Sequence, residues 1–134
     1  MPSLHPTVLV VDDDQDIRHF VMDVLRRAGY RVMEAGDGAE ALAVATETRP
    51  DLVLLDMAMP GGMDGAAVAR EMCARFAESP IPLVALSGGR DPSDRRRALD
   101  AGCSLYLTKP CAPARLRKVV ATMLRPAVES EMGP

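Results

Sequence analysis

Residues 8–14 read Val8-Leu9-Val10-Val11-Asp12-Asp13-Asp14, and residues 52–56 read Leu52-Val53-Leu54-Leu55-Asp56. Each is a short apolar run without polar alternation that stops on carboxylates. A strand buried on both faces of a parallel sheet reads this way where its C-terminal end meets water. Working outward, similar Val- and Leu-rich runs occupy Arg31–Ala35, Leu83–Ser87 and Leu105–Thr108. With Thr7–Val11 and Leu52–Leu55 they give five expected strands, β1 to β5.

The segments between them carry helical periodicity. Ile17, Phe20, Val21, Val24 and Leu25 fall at i, i+3, i+4, i+7 and i+8, one apolar stripe that Gly29 can end in a left-handed conformation (α1). Asp37 with Glu40 three residues on resembles a capping box ahead of Ala41, Leu42 and Ala45 (α2). Ala66–Phe76 reads as α3. Asp91-Pro92 places a cap and a first-turn proline before Ala98 and Leu99 (α4), and Leu116, Val119, Val120, Met123 and Leu124 repeat the stripe (α5). Strand and helix alternating five times predicts a doubly wound α/β fold, a parallel sheet in the flavodoxin-like order 2-1-3-4-5 with helices on both faces.

Composition narrows the class. A chain of 134 residues suits one core better than two. With 48% apolar and 26% charged residues it reads as neither fibrous nor disordered. The net charge of −3 offers no overall attraction to nucleic acid or anionic lipid. No apolar run approaches the ~20 residues of a membrane span, and Met1–Thr7 lacks a signal-peptide core, so a cytoplasmic location is expected. Cys73, Cys103 and Cys111 have no metal-ligand spacing and read as free thiols. Thr7–Leu124 is the expected single domain, and 125–134, with little to bury, a short tail with no output domain.

In that strand order β1 and β3 flank the point where the winding reverses, and ligands of open parallel sheets bind there, beyond the carboxyl ends of the strands. Asp12, Asp13 and Asp56 would then be neighbours. Clustered carboxylates disfavour one another's ionisation unless a cation intervenes, and an all-oxygen site suits a hard ion such as Mg²⁺. An equally good account of these residues alone makes Asp12–Asp14 a helix cap and Asp56 a turn residue. The ends of β4 and β5 weigh against that account. Ser87-Gly88-Gly89 and Thr108-Lys109-Pro110 put a hydroxyl and an ammonium at the same edge, the groups that stabilise a transferring phosphoryl group, with Asp56 as acceptor.

With these residues in place, Thr7–Leu124 resembles the response-regulator receiver family, in its stand-alone, chemotaxis-type form. The segments VLVVDDD, EAGDGAEAL, PDLVLLDMAMPGGMDG, VALSGG and GCSLYLTKP occur in family order. The resemblance implies two-component signal transduction. Asp12 and Asp13 would be the metal-binding acidic pair, Asp56 the phosphoacceptor, and Ala58 a ligand to Mg²⁺ through its backbone carbonyl. Ser87 would be the switch hydroxyl, Lys109 the phosphate-pairing lysine and Tyr106 the switch aromatic. The peptide bond before Pro110 would be cis, and Ala58 and Gly89 would tune dephosphorylation. It implies as partners a sensor histidine kinase or a histidine phosphotransfer protein, and a downstream protein on the α4–β5–α5 face. It implies no direct nucleic-acid or membrane contact, and no catalysis beyond the protein's own phosphorylation and dephosphorylation.

Departures from the family pattern are the doubled Gly61-Gly62, Cys111 after Lys109-Pro110, and the paired Gly88-Gly89. A Mg²⁺-dependent phosphohydrolase using Asp56 is the weaker reading, because Ala58 offers no general acid two residues on. His5 and His19 have no second ligand at a useful spacing and read as surface residues. Arg95-Arg96-Arg97 reads as a solvated helix face, with an acidic partner surface as the alternative.

Overall fold

The computed structural model describes residues 5–59, 62–88 and 92–124. The elements run β1 (Thr7–Val11), α1 (Gln15–Arg27), β2 (Arg31–Ala35), α2 (Gly38–Thr48), β3 (Leu52–Asp56), α3 (Gly65–Arg75), β4 (Leu83–Ser87), α4 (Pro92–Asp100), β5 (Leu105–Thr108) and α5 (Pro113–Met123). All strand pairs are parallel, in the order β2-β1-β3-β4-β5. The expected fold is the observed one.

Side-chain alternation divides the interior into two cores. Leu9, Val11, Val53, Leu55, Leu83 and Ala85 point to one face and pack with apolar residues of α2, α3 and α4. Val8, Val10, Leu52, Leu54, Val84 and Leu86 point to the other, against α1 and α5. The three central strands are therefore buried along almost their whole length, while β2 and β5 at the edges are partly exposed. Continuous apolar sequence in β1, β3 and β4 is the consequence of being covered twice.

The helix ends follow local chemistry. Asp14 caps α1, accepting from the amides of Asp16 at 2.9 Å and Ile17 at 3.2 Å. Gly29 follows α1 at φ 98°, in the region glycine adopts without strain. Asp37 caps α2 by accepting from the Glu40 amide at 2.8 Å, but Glu40 Oε1 takes the amide of Gly36 at 3.3 Å. The reciprocal half of the expected capping box is thus displaced by one residue. Helix α3 starts one residue earlier than expected and leaves Phe76 as its C-cap. Gly65 is obligatory there. A Cβ at this position would lie 2.5 Å from Met57 Cα and 2.6 Å from the Asp56 carbonyl oxygen, so only glycine lets the N-terminus of α3 press on the end of β3.

The α1 stripe needs correction. Val21, Met22, Val24 and Leu25 are buried, whereas Ile17 and Phe20 lie exposed, Phe20 by 52%. Both line an open groove shared with Pro110, Cys111 and Leu116. The expected Asp91 cap, Gly89, Gly61 of the doubled glycine and the tail 125–134 lie outside the described residues.

Candidate functional site

The register sets the site. Val11 pairs with Leu55, so the next residues, Asp12 and Asp56, emerge side by side at the carboxyl edge of the sheet. Ser87 ends β4 opposite Thr108 of β5, and the Lys109 amide donates to the Ser87 carbonyl at 2.8 Å. Four strand ends thereby deliver Asp12, Asp56, Ser87 and Lys109 to one place.

The three consecutive aspartates that follow β1 have separate fates. Asp14 is spent on the helix cap, Asp13 faces solvent, and Asp12 turns inward with 1% exposure. Asp12 Oδ1 accepts from the Asp14 amide at 2.9 Å, and its Oδ2 receives Lys109 Nζ at 2.7 Å. Asp56 is 3% exposed. Its Oδ1 accepts from the Ala58 amide at 3.0 Å and lies 3.3 Å from Lys109 Nζ. The capping account therefore holds for Asp14 and not for Asp12.

Electrostatics follow from burial. Desolvation pushes the Asp56 carboxyl up to about 6, aided by the Asp12 charge, although the Ala58 amide and the Lys109 ammonium oppose it. Burial alone would pull Lys109 down, but its hydrogen bond to Asp12 and the charges of both carboxylates hold it above its ordinary value. Lys109 is the cation around which the buried carboxylates are organised.

One oxygen from each of Asp12, Asp13 and Asp56 lies within 4.8 Å of the others, close enough for the three to share a metal ion. The donor set is all oxygen and anionic, which suits a hard divalent cation. Ala58 reaches Asp56 through its amide. Ser87 is 2% exposed, and the Lys109–Pro110 bond is cis. Tyr106 pairs with Ala85 in the sheet and packs partly buried against the α2–α4 core.

Two arginines that the sequence did not single out as site residues border this cluster. Arg18 donates from its Nη1 to the Asp12 carbonyl at 2.7 Å and from its Nε to Glu34 at 2.8 Å, bracing the turn after β1. Its helical position, one turn after the acidic run, was the available signal. Arg97 is exposed, as the solvated run predicts, and also pairs at the surface: its Nη2 meets Asp64 Oδ2 at 3.3 Å and its Nη1 lies 3.9 Å from Asp94 Oδ1. Arg95 and Arg96 are exposed as expected.

Two openings adjoin the cluster. An apolar groove of about 420 Å³ runs between Ile17 and Phe20 on one side and Pro110, Cys111 and Leu116 on the other, with Lys109 at its edge. A smaller pocket of about 130 Å³ is lined by Met57, Ala58, Ser87, Asp94 and Arg97. Of the cysteines, Cys103 is buried, which raises its thiol to about 11, and none is in a disulfide.

The response regulator receiver domain matches residues 8–121. The chain is 43% identical over 120 residues to the transcriptional regulatory protein PrrA of Mycobacterium leprae, covering 90% of this chain and 50% of that protein. It is 38% identical over 125 residues to the DNA-binding response regulator MtrA of Mycolicibacterium smegmatis, covering 93% and 53% respectively. The chain thus spans about half the length of these relatives. Among solved structures it is similar to the chemotaxis protein CheY4 of Vibrio cholerae, with a TM-score of 0.82, 32% identity and coverage of 89% of this chain and 98% of that one. The receiver domain of NtrX from Brucella abortus matches with a TM-score of 0.82 and 33% identity, covering 87% and 97%. A sheet edge that gathers two buried aspartates, a serine and a lysine, on a fold and sequence shared with these proteins, places the chain in the response regulator receiver domain family.

Proposed function

We propose that this protein is a phosphorylation switch of two-component signalling, in which Asp56 accepts a phosphoryl group from a phosphohistidine of a sensor kinase or a histidine phosphotransfer protein. The observation that carries the reading is the position of Asp56, 3% exposed and 3.3 Å from the Lys109 ammonium at the carboxyl edge of the sheet. A carboxylate oxygen of Asp56 attacks phosphorus, the P–N bond to the imidazole breaks, and its electron pair stays on that nitrogen. Attack needs the ionised carboxylate. Burial raises the metal-free Asp56 carboxyl to about 6, so ionisation and attack are favoured as pH rises through that value. Lys109, already between the carboxylates, pairs with the added negative charge, and the Ala58 amide orients the acceptor.

Asp12, Asp13 and Asp56, with the Ala58 carbonyl, would hold Mg²⁺. The ion would supply charge neutralisation for the carboxylates and the incoming phosphoryl oxygens. The Ser87 hydroxyl would close on the phosphorylated state, and Tyr106, one strand away, would carry that change to the α4–β5–α5 face, where a protein target would read it. Ala58 and Gly89 would border the path of the water that removes the group. Exposed Ile17 and Phe20 give a protein donor an apolar surface to cover beside Lys109. Thr7–Leu124 is the receiver unit and 125–134 its tail. The reading puts the protein in the cytoplasm without nucleic-acid or membrane contact; among the described residues no helix is long and apolar enough to cross a membrane.

Intact mass after incubation with Mg²⁺ and a small phosphodonor tests the reading. The expected result is one phosphoryl-sized gain in the wild type and none in Asp56→Ala. A gain of equal extent in both proteins would remove Asp56 as the acceptor.

A further inference from the structure

We propose that the small pocket between Ala58, Ser87 and Arg97 is the entry subsite for small anionic phosphodonors, and that Arg97 sets which donors enter by pairing with the donor's anionic leaving group. This inference rests on Asp56 being the acceptor. The pocket opens beside that carboxylate, because Ala58, whose amide holds Asp56 Oδ1 at 3.0 Å, is part of its wall. Its volume of about 130 Å³ is the share of roughly four water molecules, enough for a phosphoryl group and its leaving atom.

Among the described residues of this wall, Arg97 is the cationic side chain. Lys109 lies at the edge of the other opening and is committed to Asp12 at 2.7 Å and Asp56 at 3.3 Å. Arg97 is committed only loosely. It shares two carboxylates, Asp64 at 3.3 Å and Asp94 at 3.9 Å, and the Arg97 and Asp64 side chains are about half open to water while Asp94 is a quarter exposed. Ion pairs this exposed hold their partners weakly, so the guanidinium can turn to an anion arriving in the pocket. Without Arg97, Asp64 and Asp94 would face that anion uncompensated.

For an acyl phosphate, a carboxylate oxygen of Asp56 forms the new P–O bond while the P–O bond to the acyl group breaks. The electron pair leaves with the carboxylate, and no proton is transferred. Negative charge therefore grows on the leaving group, and Arg97, in the wall of the same pocket, would offset it. For phosphoramidate, whose nitrogen already carries three protons in its zwitterionic form, the P–N bond breaks and its electron pair leaves on neutral ammonia, which gains little from a guanidinium.

The test compares rates of phosphoryl gain from acetyl phosphate and from phosphoramidate at saturating Mg²⁺ and low salt. Arg97→Gln is expected to slow the acetyl phosphate reaction about threefold to tenfold, as a single charge acting across a wet pocket does, and the phosphoramidate reaction less than twofold. Arg97→Lys should fall between. Asp64→Asn, which keeps the oxygen that caps α3 but removes the competing charge, should speed the acetyl phosphate reaction. Equal slowing with both donors, or none with either, would overturn the inference. A wild type that gains no phosphoryl mass from either donor, or an Asp56→Asn variant that gains it as the wild type does, would instead overturn the assignment of Asp56 and the inference with it.

Discussion

Two clusters at the edge of the sheet have the same formula, one cation between two carboxylates, and differ in depth. In the first, Lys109 stands between Asp12 at 2.7 Å and Asp56 at 3.3 Å, with side-chain exposures of 17%, 2% and 4%. In the second, Arg97 stands between Asp64 at 3.3 Å and Asp94 at 3.9 Å, with exposures of 54%, 48% and 25%. In the buried cluster each charge depends on the others, because water has been removed from all three. In the exposed cluster water screens every partner, and rearrangement is cheap. The buried cluster suits chemistry that needs a fixed acceptor, and the exposed one suits recruitment and exchange.

The largest expected effect comes from removing the buried cation. Lys109→Met leaves Asp12 and Asp56 facing each other without compensation, and should lower the stability of the metal-free protein by about 3–5 kcal/mol at pH 7. The Lys109 contribution is fully present at that pH, since its folded acidity lies above its ordinary value of 10.5 and is lost only as pH rises through it. Urea denaturation with and without Mg²⁺ measures the loss, and added Mg²⁺ should recover part of it. A loss as small as that of an exposed pair would erase the contrast between the clusters.

Removing the buried acceptor should act in the opposite direction. Between the ordinary carboxylate value of 3.8 and about 6, the folded protein binds more protons at Asp56 than the unfolded chain, so its contribution to stability falls as pH rises through that window. Asp56→Asn abolishes that loss while Lys109 keeps Asp12. The variant should be more stable than the metal-free wild type by about 2–3 kcal/mol at pH 7 and no more stable below pH ~4. Parallel denaturation curves at the two pH values provide the check. An advantage that persisted unchanged in acid would point to packing, not charge.

The smallest effect belongs to the exposed cluster. Arg97→Gln should change stability by less than about 1 kcal/mol, and the change should shrink further in 1 M salt. Thermal melts at low and high salt would show it. A loss comparable to that of Lys109→Met would mean that Arg97 is a structural brace and not an exchangeable partner.

Much of this was legible in the chain. Apolar runs ending on Asp12, Asp56, Ser87 and Lys109 announced both the strands and the edge at which their ends meet, because a parallel sheet aligns all its carboxyl ends. Other residues were legible only in part. Ile17 and Phe20 fit the α1 period, but period describes a helix face and not whether a neighbour extends far enough to cover it. Arg97 sat in a run of three arginines where nothing local distinguishes one from the next. Its partner Asp64 lies 33 residues away, and the pairing depends on where α4 rests against the loop before α3.

The order of elements, the two-sided burial of β1, β3 and β4 and the identity of the acidic and basic groups at the edge were therefore determined by sequence, since each follows from local composition and periodicity. Tertiary structure alone decided how three consecutive aspartates divide into an inward carboxylate, an exposed one and a helix cap. It also decided that Lys109 bridges Asp12 and Asp56 while Arg97 pairs at the surface. Depth and distance across the sheet edge arise only when β1, β3, β4 and β5 are brought into register, and it is depth that makes one cluster rigid and the other exchangeable.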